Sequence, residues 1–242
     1  MSGRRDMNSV PEKTLELNVN ENLINRIRQL GRSFEQAFLY GFTLRYEARW
    51  GLDSSIKLPS NVGFLLALQY KKFVPERSDL RKGVWAFEIN NNRGRDQHLK
   101  LLVSSYFLGE DAVYYAFPML DREKMYSSSP HFLERTCFAR VADFPSRTFN
   151  YTTHIVFVKE SYGYASVMSE DAGEVRLVSS EGLLERVKFV DVRRKYVEEL
   201  SNKKINREDL EEFLKKKDID REVIRDFLSR NWKQYFSSGI FV

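Results

Sequence analysis

The sequence predicts an α/β protein, a mixed central sheet flanked by helices, with a helical appendage at its C-terminal end. Three observations carry this. Residues 62–74, Val-Gly-Phe-Leu-Leu-Ala-Leu-Gln-Tyr-Lys-Lys-Phe-Val, open as an apolar run of strand length and then set Gln69 and Lys71 on one side of the pleat. An amphipathic segment over 93–108 and a second apolar run over 112–120 come next, and strand, helix, strand in that order implies a right-handed crossover between parallel strands. From Gly182 onward the composition shifts to charged stretches with helical spacing. The expected division is a flexible N-terminal tail over 1–18, an α/β core over 19–180 and a helical appendage over 181–242.

Taken in order, residues 20–49 place Leu23, Ile24, Ile27, Leu30, Phe34, Ala37, Phe38 and Phe42 at three- and four-residue spacing, which predicts one helix, or two broken near Gly31. Glu35 sits one residue from that apolar seam. Residues 53–58 read as a short strand, and the Pro, Ser, Asn and Gly of 59–63 as a turn, so a hairpin joins this strand to the 62–74 strand. Antiparallel pairing then brings Asp53 to the end that carries Gln69 and Lys71. Residues 73–92 read as an exposed basic loop with a brief strand at 85–89. The helix over 93–108 buries Leu99, Leu102, Val103, Tyr106 and Phe107, with Asp96 as its cap and Gln97 and His98 in its first turn, where backbone amides favour an anion.

Gly109 ends that helix, and the apolar run over 112–120 is stopped by Pro118. A loop over 121–130 follows, then an unassigned stretch over 132–141. A strand begins near Thr153 and carries His154, read as structural, and 164–168 pairs with it across a Ser-Tyr-Gly turn. In the C-terminal part, Asn206 precedes a helix with acids in its first turn and lysines in its last, and a second helix spans 220–236. The lysine runs at 203–204 and 215–217 read as solvated helix faces.

Composition bounds the function. A chain of 242 residues with 42% hydrophobic and 14% aromatic residues buries a substantial core, which excludes the disordered and fibrous classes. Lys plus Arg number 39 against 34 Asp plus Glu, a net charge of +5 that permits a nucleic-acid partner without requiring one. The single cysteine, Cys137, rules out an intrachain disulfide and a cysteine-based zinc site, and it suits a reducing compartment, so the expected location is cytoplasmic. No window approaches the roughly 20 apolar residues that span a bilayer, and residues 1–13 lack the apolar run of a signal peptide.

The order of these elements, with Asp53 on a hairpin strand, Gln69-Tyr-Lys71 at the end of the next, and Gln-His-Leu-Lys-Leu-Leu then Val-Tyr-Tyr-Ala-Phe-Pro after it, resembles the PD-(D/E)XK nuclease superfamily. That restriction-endonuclease-like fold has a helix, a three-stranded antiparallel meander, a crossover helix and a further strand, and the resemblance covers residues 20–118. It implies that Asp53 ligates a metal, that Lys71 positions or activates the attacking water, and that the backbone carbonyl of Tyr70 faces the ion. Gln69 stands where the superfamily has Glu or Asp, and Glu35 matches the acid that many members place on the first helix. The ion would be Mg²⁺ or Mn²⁺. A glutamine carbonyl can ligate such a hard cation but brings no charge to offset its dehydration, and Glu35 would restore that charge beside Asp53.

The function expected on this resemblance is hydrolysis of phosphodiester bonds in DNA, as a homodimer where both strands are cut. Arg77, Arg81, Lys82, Arg93, Arg95, Gln97 and His98 would contact the nucleic acid, together with the aromatic rings of Trp85 and Phe87. The alternative is a catalytically silent nucleic-acid-binding or assembly protein that keeps the fold.

Overall fold

The computed structural model describes residues 10–42, 47, 50–58, 64–90, 96–145, 152–159, 163–168, 173–188 and 207–236. The first helix, α1 (Glu12–Arg28), follows Pro11 and buries Leu15, Val19, Leu23, Ile24 and Ile27 along one stripe. It therefore begins upstream of the expected 20–49 helix and stops inside that range, at Arg28. The 1–18 segment is likewise no tail from Val10 on, because Val10 and Leu15 are both buried. Of the rest of the expected helix, residues 32–34 form a 3₁₀ turn (Arg32–Phe34) and residues 38–41 a strand, β1 (Phe38–Gly41), while 43–46, 48 and 49 lie outside the described residues.

Strand β1 opens an antiparallel meander with β2 (Ser54–Lys57) and β3 (Phe64–Tyr70). The register sets Ser54 opposite Leu68, and Asp53 N donates to Leu68 O at 3.0 Å. Two 3₁₀ turns, Pro75–Arg77 and Leu80–Lys82, lead to β4 (Val84–Asn90). Helix α2 (Gln97–Leu108) then crosses to β5 (Val113–Pro118), which lies parallel to β3 with Ala67 opposite Val113. The parallel pairing is the one that the strand, helix, strand order predicts.

A short helix α3 (Arg122–Met125) precedes β6 (Thr136–Arg140), which accounts for the unassigned stretch. Strands β7 (Thr153–Lys159) and β8 (Tyr164–Met168) pair antiparallel as expected, and β9 (Gly173–Val178) follows. Helices α4 (Ser180–Lys188), α5 (Arg207–Lys216) and α6 (Arg221–Phe236) complete the described chain. The expected Asn206 cap, Lys203 and Lys204 lie outside the described residues.

Among the described residues nine strands form one sheet, in the order β1-β2-β3-β5-β6-β9-β8-β7-β4. The expected loop with a brief strand at 85–89 is in fact β4, paired along its whole length with β7. Its other edge meets the continuation of β3, where Phe73 bridges Phe87 and Val74 N donates to Ala86 O at 2.7 Å. The run of strands from β3 round to β4 thus returns to its own starting strand. Trp85 and Phe87, expected to touch nucleic acid, are wholly buried in this closure, because alternation along β4 turns them into the core.

The sheet has two apolar faces. Leu66, Leu68, Tyr70, Tyr114, Ala116 and Phe138 pack against α1 and α4. Ala67, Val113, Tyr115, Phe117 and Ala139 share the other core with α2, α5 and α6, so the C-terminal helices are built into the main core rather than appended to it. Period two along β3 assigns Gln69 to the face of Ala67, the α2 face. No helix among the described residues is long and apolar enough to cross a membrane.

A candidate active site at the end of strand β3

Asp53 immediately precedes β2, and the meander delivers its carboxylate to the C-terminal end of β3. Its Oδ2 accepts from Gln69 Nε2 at 2.6 Å and from the backbone amide of Tyr70 at 2.6 Å. The same Gln69 nitrogen donates to the Tyr70 carbonyl at 3.1 Å. A group placed between a carboxylate and a carbonyl must present hydrogens to both, which sets the amide with its nitrogen inward. One side chain therefore bridges Asp53 and Tyr70, two of the oxygen donors that the resemblance implies for a metal ion.

Lys71 follows at the strand end, its backbone amide donating to Ala116 O at 3.0 Å. Its side chain is buried, with Nζ donating to Gln97 Oε1 at 2.5 Å and lying 5.7 Å from the Tyr115 ring centroid. Burial pulls the proton affinity of this amine down, while Glu12, Asp53 and Glu88 act to hold the proton on. Asp53 is displaced the other way. Burial is the main reason its pKa rises to about 7, with Glu12 and Glu16 adding to the rise and the Tyr70 amide and Lys71 opposing it.

Glu12 and Glu16 are functional candidates that the sequence reading missed. The first turn of α1 carries Glu12 to the Lys71–Lys72 backbone, where the Lys72 amide donates to its carboxylate. Burial raises its pKa, with Lys71 the largest opposing influence. Glu16, one turn on, is buried and accepts from Lys13 Nζ at 2.8 Å. The signal that points to them is Pro11-Glu12 at the head of an i, i+4 stripe of Leu15, Val19, Leu23 and Ile27.

Glu35, the acid expected on the first helix, is exposed on the turn after the 3₁₀ segment. It precedes Phe38, which pairs with Lys57, whereas Asp53 lies beyond the opposite end of β2, where Ser54 pairs with Gly41. The sheet register therefore separates Glu35 from Asp53, and the first-helix carboxylates near the site are Glu12 and Glu16. Glu88, exposed on β4, is the further acid whose charge reaches Lys71.

Gln97 reaches the site because α2 starts against the segment leading into Asp53. Gly51 has φ +70°, and a Cβ there would lie 3.1 Å from the Gln97 carbonyl oxygen and 3.3 Å from Leu101, so both backbone angle and contact call for glycine. Further along α2, Ser104 Oγ donates to Trp50 O at 3.1 Å. Asp96 occupies the cap position with φ 47° but makes no side-chain cap bond, since its carboxylate turns to α6 instead. The expected capping role is thus replaced by a tertiary contact.

The expected nucleic-acid residues divide. Arg77, Arg81 and Lys82 are exposed on the two 3₁₀ turns that follow Lys71. Arg93 and Arg95 lie outside the described residues. Gln97 is engaged with Lys71, and His98 is wholly buried, its Nδ1 2.8 Å from the Tyr115 hydroxyl and its ring packed on Phe144. Burial holds the His98 pKa well below the usual value, so the ring is neutral and belongs to the core. His154 is buried as well, with Nε2 3.0 Å from Thr152 Oγ1, in keeping with a structural role.

Among the described residues, no group of three or more His, Cys, Asp or Glu side chains is spaced to hold a metal ion. The donor set at β3 is of a different kind, one carboxylate, one backbone carbonyl and one amide, with two helix carboxylates nearby. The chain matches no protein-family model, no curated protein and no solved structure.

Proposed function

We propose that the chain is a restriction-endonuclease-like protein that hydrolyses phosphodiester bonds in DNA with the help of Mg²⁺ or Mn²⁺. One observation supports the reading: Asp53, Gln69 and Lys71 meet at the end of β3, in a meander that is joined through a helix to a parallel strand. Helix α1 and the β1-β2-β3 meander come first, and after the inserted strand β4 the helix α2 leads to β5, parallel to β3.

The donor set fits such an ion on one condition. Asp53 Oδ2 and the Tyr70 carbonyl already share one positive partner, the N–H edge of Gln69. Rotation of that amide would replace its nitrogen with Oε1, so that Asp53, Tyr70 and Gln69 would hold the ion, with Glu12 and Glu16 supplying nearby negative charge. The ion would polarise the phosphate and lower the pKa of a bound water. Lys71, anchored by Gln97, would set a proton-bearing amine beside the attacking water. The water oxygen would bond to phosphorus as the bond to one sugar oxygen breaks; the proton that the water gives up would pass to solvent, and the departing sugar oxygen would take one from the Lys71 ammonium, which solvent then restores. Arg77, Arg81 and Lys82, exposed just past Lys71, would hold the flanking phosphates.

Purified protein with Mg²⁺ or Mn²⁺ is expected to nick plasmid or single-stranded DNA, and Asp53→Ala and Lys71→Ala to lower the rate at least about a hundredfold each. Cleavage that survives both changes refutes the assignment.

The Gln69 bridge also favours a second reading, a silent nucleic-acid-binding protein in which the amide permanently replaces the ion. That reading expects salt-dependent DNA binding that a chelator leaves unchanged, with no cleavage under any divalent metal.

A further inference from the structure

The C-terminal helix α6 reaches the far side of the same site. Asp96, the residue before α2, is fully buried and sits in the left-handed region, which few residue types other than glycine, asparagine and aspartate adopt. Its partners come from α6. Arg230 grips the carboxylate with both terminal nitrogens, Nη1 on Oδ2 and Nη2 on Oδ1 at 3.2 Å. Asn231 Nδ2 adds a third donor on Oδ2 at 3.4 Å, and Asp226 Oδ2 steadies the Arg230 fork at 2.9 Å. A buried carboxylate held bidentate in this way is a rigid joint, because losing either partner leaves a buried charge uncompensated.

The residue after this joint is Gln97, whose Oε1 holds Lys71 Nζ and whose carbonyl abuts Gly51. We infer that Arg230 and Asn231 of α6 are positioning residues for Lys71, acting through Asp96 and Gln97. The inference rests on the proposed reading of Lys71 as the working amine of the site. It gives the C-terminal helices a role there: by fixing the start of α2 they fix where the Lys71 amine is held. Arg230 touches no reacting atom in this scheme, and its effect is transmitted along one connected set of bonds.

The test is lysine-selective acetylation of the full chain read by mass spectrometry, with Lys57 on β2, partly buried at the other end of the meander, as the internal reference. Gln97→Ala is the direct control. Arg230→Lys keeps the charge and loses the fork. Asp96→Asn keeps a residue that tolerates the left-handed region and loses the charge. All three are expected to raise acetylation at Lys71 about fivefold or more while Lys57 stays at its wild-type level. Lys71 as protected in Arg230→Lys and Asp96→Asn as in the wild type overturns the inference, as does a joint rise of Lys71 and Lys57, which reports general loosening. DNA cleavage measured on the same samples separates the two claims: selective Lys71 exposure in a protein that never cleaves upholds the joint and sinks the nuclease reading, whereas cleavage with unaltered Lys71 protection sinks only the joint.

Discussion

At the residue scale the site is an arrangement of charge that burial makes costly and hydrogen bonds make tolerable. Asp53 is the clearest case, held near a pKa of about 7 chiefly because its ionised form is desolvated. A carboxyl whose folded pKa stands above its unfolded value binds its proton more tightly when folded. Its contribution to stability is therefore complete below about pH 4 and is lost as pH rises through 7. The expected loss between pH 5 and 8 is at most about 3 kcal/mol, from about 1.4 kcal/mol per decade over the roughly two decades below the folded pKa. Glu12 and Glu16 are shifted in the same direction, and Lys71, shifted down, works the opposite way at its own titration. Asp53→Asn isolates the Asp53 share: urea unfolding of this variant is expected to vary less with pH over that window than the wild type does, and equal slopes would deny Asp53 the raised pKa.

The Asp53, Gln69 and Lys71 cluster was legible in the sequence because strands obey a period of two and hairpins fix which ends meet. Glu12 was not, since it lies in a polar stretch whose helical period becomes plain only when Leu15 is joined to Val19 and Leu23. Nor was the bridging role of Gln69, which depends on where one amide hydrogen bond goes rather than on any spacing.

At the scale of elements, α1 is fastened to the meander by a buried polar link. Asn20 Oδ1 accepts from the Tyr70 hydroxyl at 2.8 Å, and Asn20 Nδ2 donates to Ser54 Oγ at 3.0 Å. Burial keeps the Tyr70 hydroxyl protonated and so a donor. This link ties β2 and β3 to the helix whose first turn carries Glu12 and Glu16. Asn20→Ala leaves two buried hydroxyls without that partner and is expected to cost about 1–3 kcal/mol by denaturant unfolding. Tyr70→Phe removes one group of the link, and the double variant is expected to be less destabilised than the sum of the two. Strict additivity would mean that the link contributes nothing of its own.

The misread elements share a physical cause. Residues 38–41 are apolar and continue a helical spacing by chance, but in the fold they form an edge strand, and edge pairing is decided by β2, not by local pattern. Strand β4 follows two 3₁₀ turns rich in charge, so its buried Trp85, Phe87 and Ile89 look like islands in a loop until β7 is there to pair with them. Strand β9 carries the alternation Val175 and Leu177 inward against Glu174 and Arg176, a signal that was present in the sequence and short enough to pass over.

At the scale of the molecule, the nine strands and the helices on both faces converge their polar groups on one place. Helix α1 brings Glu12 and Glu16, the meander brings Asp53 and Gln69, β3 ends in Lys71, α2 begins with Gln97, and α6 holds that beginning in position. The α/β class, the parallel crossover and the helical C-terminal part could be read from pattern and order. The return of β4 onto β3 could not, because it joins segments whose partners lie far away in the sequence. The two 3₁₀ turns that carry Arg77, Arg81 and Lys82 follow the same end of β3 in the chain.

The most direct test of this account is the rate at which supercoiled plasmid is nicked in Mn²⁺ by the wild type, Asp53→Ala, Glu12→Gln and Glu35→Gln side by side. The account predicts nicking by the wild type and by Glu35→Gln at similar rates, none with Asp53→Ala, and a loss of about tenfold or more with Glu12→Gln, the range expected when a supporting charge beside a metal site is removed. A wild type that leaves the plasmid intact, or an Asp53→Ala protein that still nicks it, would contradict the account.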